Sequence, residues 1–135
     1  MVFSLNDINW LAVIVAGVLY FLIGALWYSV LFTKPFIRYR GEIKPEDQGK
    51  PLDYALTFAA DLLAAFVLAL ILDGVGAGTL TDAIVVGLAV AVGFAAASSF
   101  VYTIYSGPHK MLWVIYSGYL LVSYLVMSVL LTLWV

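Results

Sequence analysis

Four stretches of this sequence are each apolar for long enough to cross a bilayer, and a chain in water could not cover all of them. They run from about Trp10 to Phe32, Tyr54 to Leu72, Leu80 to Tyr105 and Met111 to Val135. At about 1.5 Å of rise per residue each reaches through roughly 30 Å of hydrocarbon. Backbone groups in lipid must be satisfied within the segment, so these are helices and not strands. Composition agrees: 65% of residues are hydrophobic, 10% are charged, and mean hydropathy is +1.11. Soluble domains carry about 25% charge. The expected fold is all-α, an integral membrane four-helix bundle forming a single domain over residues 1–135.

Helix signals at the segment ends support this division. Ser4 with Asp7 in "SLND", and Thr79 with Asp82 in "TLTD", have capping-box spacing, while Pro51 and Pro108 suit first turns. The first segment does not read as a cleavable signal peptide, since it lacks a basic start and a small-residue cleavage site.

Charge placement gives the orientation. Lys34, Arg38, Arg40, Lys44 and Lys50 fall between the first two segments and Lys110 between the last two, on one side of a four-pass chain. The other side holds Asp7, Asp73 and Asp82 and no Lys or Arg. The positive-inside rule makes the basic side cytoplasmic and sends both termini out. Trp10 and Trp134 then fit the outer interfacial belt, and Trp27, Tyr28, Tyr105 and Trp113 the inner one.

Little else in the sequence carries chemistry. The cytoplasmic loop 33–53 mixes both charge signs with Pro and Gly and reads as solvated, with its basic residues able to meet anionic lipid headgroups. The outer loop "DGVGAGTLTD" is glycine-rich but follows a helix and lacks the lysine of a P-loop, so it reads as a link. His109 has no second ligand candidate nearby and reads as a surface residue. The chain has no cysteine, no nucleophile with its base and no metal-ligand spacing. A net charge of −2 argues against a nucleic-acid partner. The sequence implies no cofactor, no metal and no enzyme.

Membrane helices associate through small residues that let backbones approach. Gly87, Ala91, Ala95 and Ser99 recur every fourth residue on the third segment, Ala60 and Ala64 do so on the second, and Gly17 and Gly24 mark the first. The third helix is therefore expected at the centre of the bundle.

One residue stands out against this background. "TFAADLLAAF" places Asp61 seven residues after Tyr54 and eleven before Leu72, about 10 Å and about 16 Å along a helix axis. That is inside the hydrocarbon. Equal depth counting on the other segments reaches Gly24 to Tyr28, Ser98 and Ser99, and Tyr116 to Tyr119. Thr57 shares a face with Asp61; Ser98 shares one with Tyr102, and Tyr116 with Tyr119 and Ser123. No Lys, Arg or His lies at this depth, so burial favours the neutral acid held by hydroxyls.

"GALWYSVLF", residues 24–32, preceded by Asn6 or Asn9, resembles a family of small bacterial four-helix membrane proteins known only as a domain of unknown function. Gly24, Trp27, Tyr28 and Ser29 carry that likeness, and "IYSGYLLVSYLVMSVLLTLW" is similar to the family's last helix. The resemblance implies a four-helix inner-membrane fold and no activity. Two functions are consistent with the sequence. One is a transporter or channel, formed as a homo-oligomer among membrane lipids, with Asp61 binding a proton or cation; its substrate is unknown. The other is a non-catalytic scaffold or accessory subunit with Asp61 as a neutral hydrogen-bonding hub.

Overall fold

The computed structural model describes residues 5–40, 50–106 and 109–134. Ser4 of the first expected capping box, Lys44 with the rest of 41–49, Pro108 and Val135 lie outside them. After a single 3-10 turn, Leu5–Asp7, come α1 (Trp10–Leu31), a short α2 (Thr33–Arg40), α3 (Pro51–Gly74), α4 (Leu80–Tyr105) and α5 (Lys110–Leu133). Among the described residues there are no strands. α1, α3, α4 and α5 are each long and apolar enough to cross a membrane.

Polar residues set the helix starts. Asn9 begins α1 by accepting the Ala12 N–H on Oδ1 at 3.2 Å. At α4 the expected box forms: Thr79 Oγ1 accepts from the Asp82 N–H at 3.2 Å and Asp82 Oδ2 accepts from the Thr79 N–H at 3.3 Å. Pro51 stands in the first turn of α3, where its missing N–H is not needed. His109 caps α5 by accepting the Met111 N–H on Nδ1 at 3.1 Å. Its ring lies 4.4 Å from the Tyr39 ring of α2. That contact brings the basic α2 beside the start of α5. At the other end Asn9 Nδ2 donates to the Trp134 carbonyl at 3.3 Å, joining the start of α1 to the end of α5.

The centre of the bundle is α5, not α4. α5 packs against α1, α3 and α4, whereas α4 makes its substantial interhelical contacts with α5 alone. Ala83, Gly87 and Ala91 are buried against α5, and Ser128 Oγ donates to the Ala83 carbonyl at 2.7 Å. The ladder then loosens: Ala95, though still packed against the core, and Ser99 are only half-buried. A π-helical stretch over Ala89–Ala96 widens the turn, so the every-fourth-residue spacing no longer holds one stripe toward α5. Phe94 within it and Val101, Tyr102 and Tyr105 beyond it face outward.

The main core lies between α1, α3 and α5, built from Val13, Ala16 and Tyr20, Ala65, Leu68 and Leu72, and Tyr119, Leu120 and Met127. Gly17 makes the α1–α3 approach possible: a Cβ there would stand 2.5 Å from Leu62 Cδ2 and 3.2 Å from Leu62 Cα. Gly76, with φ of 73°, turns the chain after α3 where other residues would be strained.

Candidate functional site

Asp61 projects from the middle of α3 into the packed side of the bundle and is 6% exposed. Its neighbours Ala65 and Leu68 are buried on the same face. The Asp61 carboxyl lies close enough to the Tyr116 and Tyr119 hydroxyls of α5 to act on them electrostatically. Asp61 Oδ2 is buried without a hydrogen-bond partner, and so are Ser117 Oγ and Ser123 Oγ on α5. Buried acceptors are normally satisfied.

The tyrosines beside it form one connected group. The Tyr119 ring lies 5.4 Å from Tyr20, 5.8 Å from Tyr28 and 6.1 Å from Tyr116, and Tyr20 lies 5.5 Å from Tyr124. Tyr119 donates its hydroxyl to the Tyr20 carbonyl at 3.5 Å. Tyr20 and Tyr124 are additions to the residues the sequence singled out. Depth counting missed Tyr20 because the helix ends are not level. Leu62 of α3 meets Gly17 of α1, about two turns from the Gly24 to Tyr28 stretch that the count reached. A lone tyrosine between Gly17 and Gly24 was the available signal.

Of the expected site residues, Tyr119 and Ser123 join Asp61 in the interior and Tyr116 borders it while being partly exposed. Thr57 does not join them: it is exposed, and its hydroxyl donates to the Asp53 carbonyl at 2.7 Å. Ser98 faces outward, Ser99 donates to the Ala96 carbonyl at 3.0 Å, and Tyr102 is 69% exposed. The contacts of α4 explain this. Trp113 meets Ala96 while Tyr124 and Ser128 meet Gly87, so α4 passes the depth of Asp61 near Ala91. Ser99, Tyr102 and Tyr116 do share a groove of about 410 Å³ between α4 and α5.

The two sequence stretches that carry the family likeness pack on each other. Trp27 Nε1 donates to the Ile115 carbonyl at 2.9 Å. The Trp27 ring also fills the space beside Gly118, where a Cβ would stand 3.1 Å from it. Here a belt tryptophan is a tie between helices. Ser29 is exposed and stands apart. Trp27–Leu31 form a π-helical turn closed by the Phe32 N–H on the Trp27 carbonyl at 2.8 Å, a distortion frequent at functional sites. The motif thus braces Tyr119 beside the acid, with Gly24 giving it room and the Tyr28 ring 5.8 Å from its own.

Among the described residues no group of three His, Cys, Asp or Glu could hold a metal ion. No curated protein and no solved structure matches the chain. A family model described as "Protein of unknown function (DUF1761)" matches residues 11–132. That match covers most of the sequence, including all of the four long helices but the first residue of α1 and the last of α5, and the chain belongs to this family.

Proposed function

We propose that this chain is a small transport protein of the bacterial inner membrane, assembled from several copies, in which Asp61 takes up and releases a proton or small cation. The observation that carries this reading is the buried Asp61 carboxyl with Oδ2 unpartnered. A carboxyl kept as a hydrogen-bonding hub would have that acceptor filled by a neighbouring hydroxyl. Ionisable groups inside a membrane are costly and mark transport routes more often than structural joints.

The surroundings give the route a direction. Toward the basic end, Tyr116 links the neighbourhood of Asp61 to the groove with Ser99 and Tyr102. Toward the acidic end, Leu68 and Met127 are fully buried and close the interior between Ser123 and Thr132. Passage past Asp61 requires these two side chains to separate. The reaction asked of the chain is binding and release alone, which suits a site with an acid and hydroxyls and no nucleophile.

The scaffold reading draws on a different observation, the outward face of α4, which no other helix among the described residues covers. The test is proton entry into proteoliposomes under an imposed potential, followed with a trapped pH dye. Wild type is expected to admit protons and Asp61→Asn to fold equally well and admit none. Equal proton flux in the two proteins would reject transport through Asp61 and favour the scaffold, and so would an absence of flux in both when the assay is run with protons and then with sodium or potassium and a cation-sensitive dye.

A further inference from the structure

What Asp61 can hold is set by the oxygens around it. A metal cation that leaves water for a membrane interior needs a cage of oxygens in place of its hydration shell, and transporters commonly supply main-chain carbonyls from broken helices. The helices beside Asp61 are not broken there. α3 is a continuous α-helix from Pro51 to Gly74 and α5 is one from Lys110 to Leu133, so the carbonyls flanking the acid and its tyrosines accept from the N–H one turn on. α1 stays α-helical through Tyr20 to Leu26, and the Tyr20 carbonyl also accepts the Tyr119 hydroxyl. The π-helical stretch of α4 packs on α5.

A proton asks for one acceptor only. Asp61 Oδ2 supplies it, on a residue 6% exposed and without a hydrogen-bond partner. The titratable groups packed around it are tyrosines, Tyr20 and Tyr28 from α1 and Tyr116, Tyr119 and Tyr124 from α5. On α3 itself Asp53 and Tyr54 are exposed, about two turns away, and α4 brings Tyr102, in the groove.

Tyr116 belongs to both places. It is close enough to Asp61 to feel its charge, and it lines the groove of about 410 Å³ with Ser99, Tyr102 and Thr103. At 40% exposed it has room to turn from one to the other.

We infer that the ion exchanged at Asp61 is the proton, handed in from the groove by the Tyr116 hydroxyl. A hydronium in the groove gives a proton to the Tyr116 oxygen as the Tyr116 O–H gives its own to Asp61 Oδ2. Water is left in the groove, the tyrosine is unchanged and the carboxyl is neutral; release runs the same steps backward. Oδ2 has no partner at rest, so each transfer waits on rotation of the Tyr116 side chain. This inference rests on the reading of Asp61 as an exchange site.

The test measures initial rates of proton, sodium and potassium entry into proteoliposomes under an imposed potential, across a series of pH values. Proton entry that Asp61→Asn abolishes is expected, with no sodium or potassium entry that depends on Asp61. Tyr116→Phe, shown by its thermal melt to be folded, should lower the maximal proton rate about tenfold or more and leave the pH of half-maximal rate where it was. Tyr105→Phe, at an exposed tyrosine outside the groove, should match wild type. Sodium or potassium entry abolished by Asp61→Asn would overturn the proton assignment and keep transport at Asp61. An unaltered rate in folded Tyr116→Phe, a shift of its half-maximal pH alone, or an equal loss in Tyr105→Phe would overturn the relay. Absence of entry for all three ions would overturn this inference together with the reading beneath it.

Discussion

Gly24 and Tyr119 share one space: a Cβ on residue 24 would stand 3.1 Å from the Tyr119 hydroxyl and 3.2 Å from its ring. The absent side chain lets Tyr119 lie flat on α1, where it donates to the Tyr20 carbonyl and borders Asp61. Gly24→Val should therefore displace Tyr119 and lower stability by about 1–3 kcal/mol, as overpacking does. Thermal unfolding in detergent reads the loss, and near-ultraviolet circular dichroism reads the shift of the tyrosines. An unchanged spectrum would mean that Tyr119 has room to spare.

Trp27→Phe keeps an aromatic ring beside Gly118 but deletes the N–H that reaches the Ile115 carbonyl at 2.9 Å. A loss of about 0.5–1.5 kcal/mol is expected for one hydrogen bond. Trp27→Ala should cost more, since it also empties the space at Gly118. If both variants melt together with wild type, the motif does not tie α1 to α5.

Asp61→Leu separates stability from activity. With Oδ2 already unpartnered, removing the carboxyl strands no bonded neighbour at that oxygen and takes a polar group out of an apolar interior. The variant should melt at or above the wild-type temperature while losing flux. A large fall in melting temperature would instead identify the acid as a structural hub.

Two glycines on α4 should respond oppositely. A Cβ on Gly87 would stand 3.2 Å from both Leu125 Cδ2 and Ser128 Cβ, whereas at Gly93 nothing lies within 4 Å. Gly87→Leu is expected to loosen α4 from α5 and lower the melting temperature. Gly93→Leu should leave the monomer's melting temperature nearly unchanged, and native mass spectrometry would show whether it alters the number of associated copies. Destabilisation by Gly93→Leu without such a change would contradict the outward placement of that face.

Orientation can be tested in a chain with no cysteine background. Gly76→Cys should react with an impermeant thiol reagent added to intact cells, and Arg40→Cys only after lysis. The reverse pattern would invert the topology drawn from the basic residues.

The four long helices were legible because hydrocarbon imposes one length and one composition on whatever crosses it. The α4 capping box was legible because Thr79 and Asp82 act across three residues. The interior placement of Asp61 was also readable, from its distance to both helix ends. The positions of Ser98, Ser99 and Tyr102 were not. They depend on how far each helix is shifted along its neighbours, a quantity fixed by contacts such as Gly17 with Leu62 and Trp113 with Ala96. Nor did the small residues of α4 reveal a peripheral helix. Spacing of four marks a packing face only while the turn stays regular, and Ala89–Ala96 departs from it.

That wide stretch lets α4 lose a residue in a way the regular helices α3 and α5 cannot. An α-helix advances each residue by about 100°, and a π turn is how a helix houses a surplus residue without rotating everything that follows. Deleting Val92 would let the stretch relax toward α geometry and leave the half from Ala97 onward facing as it does now. The Ala96 carbonyl would stay turned toward Trp113, which donates to it at 2.9 Å. The same deletion in the middle of α3 would swing everything after it by about 100° and carry its buried row out of the core.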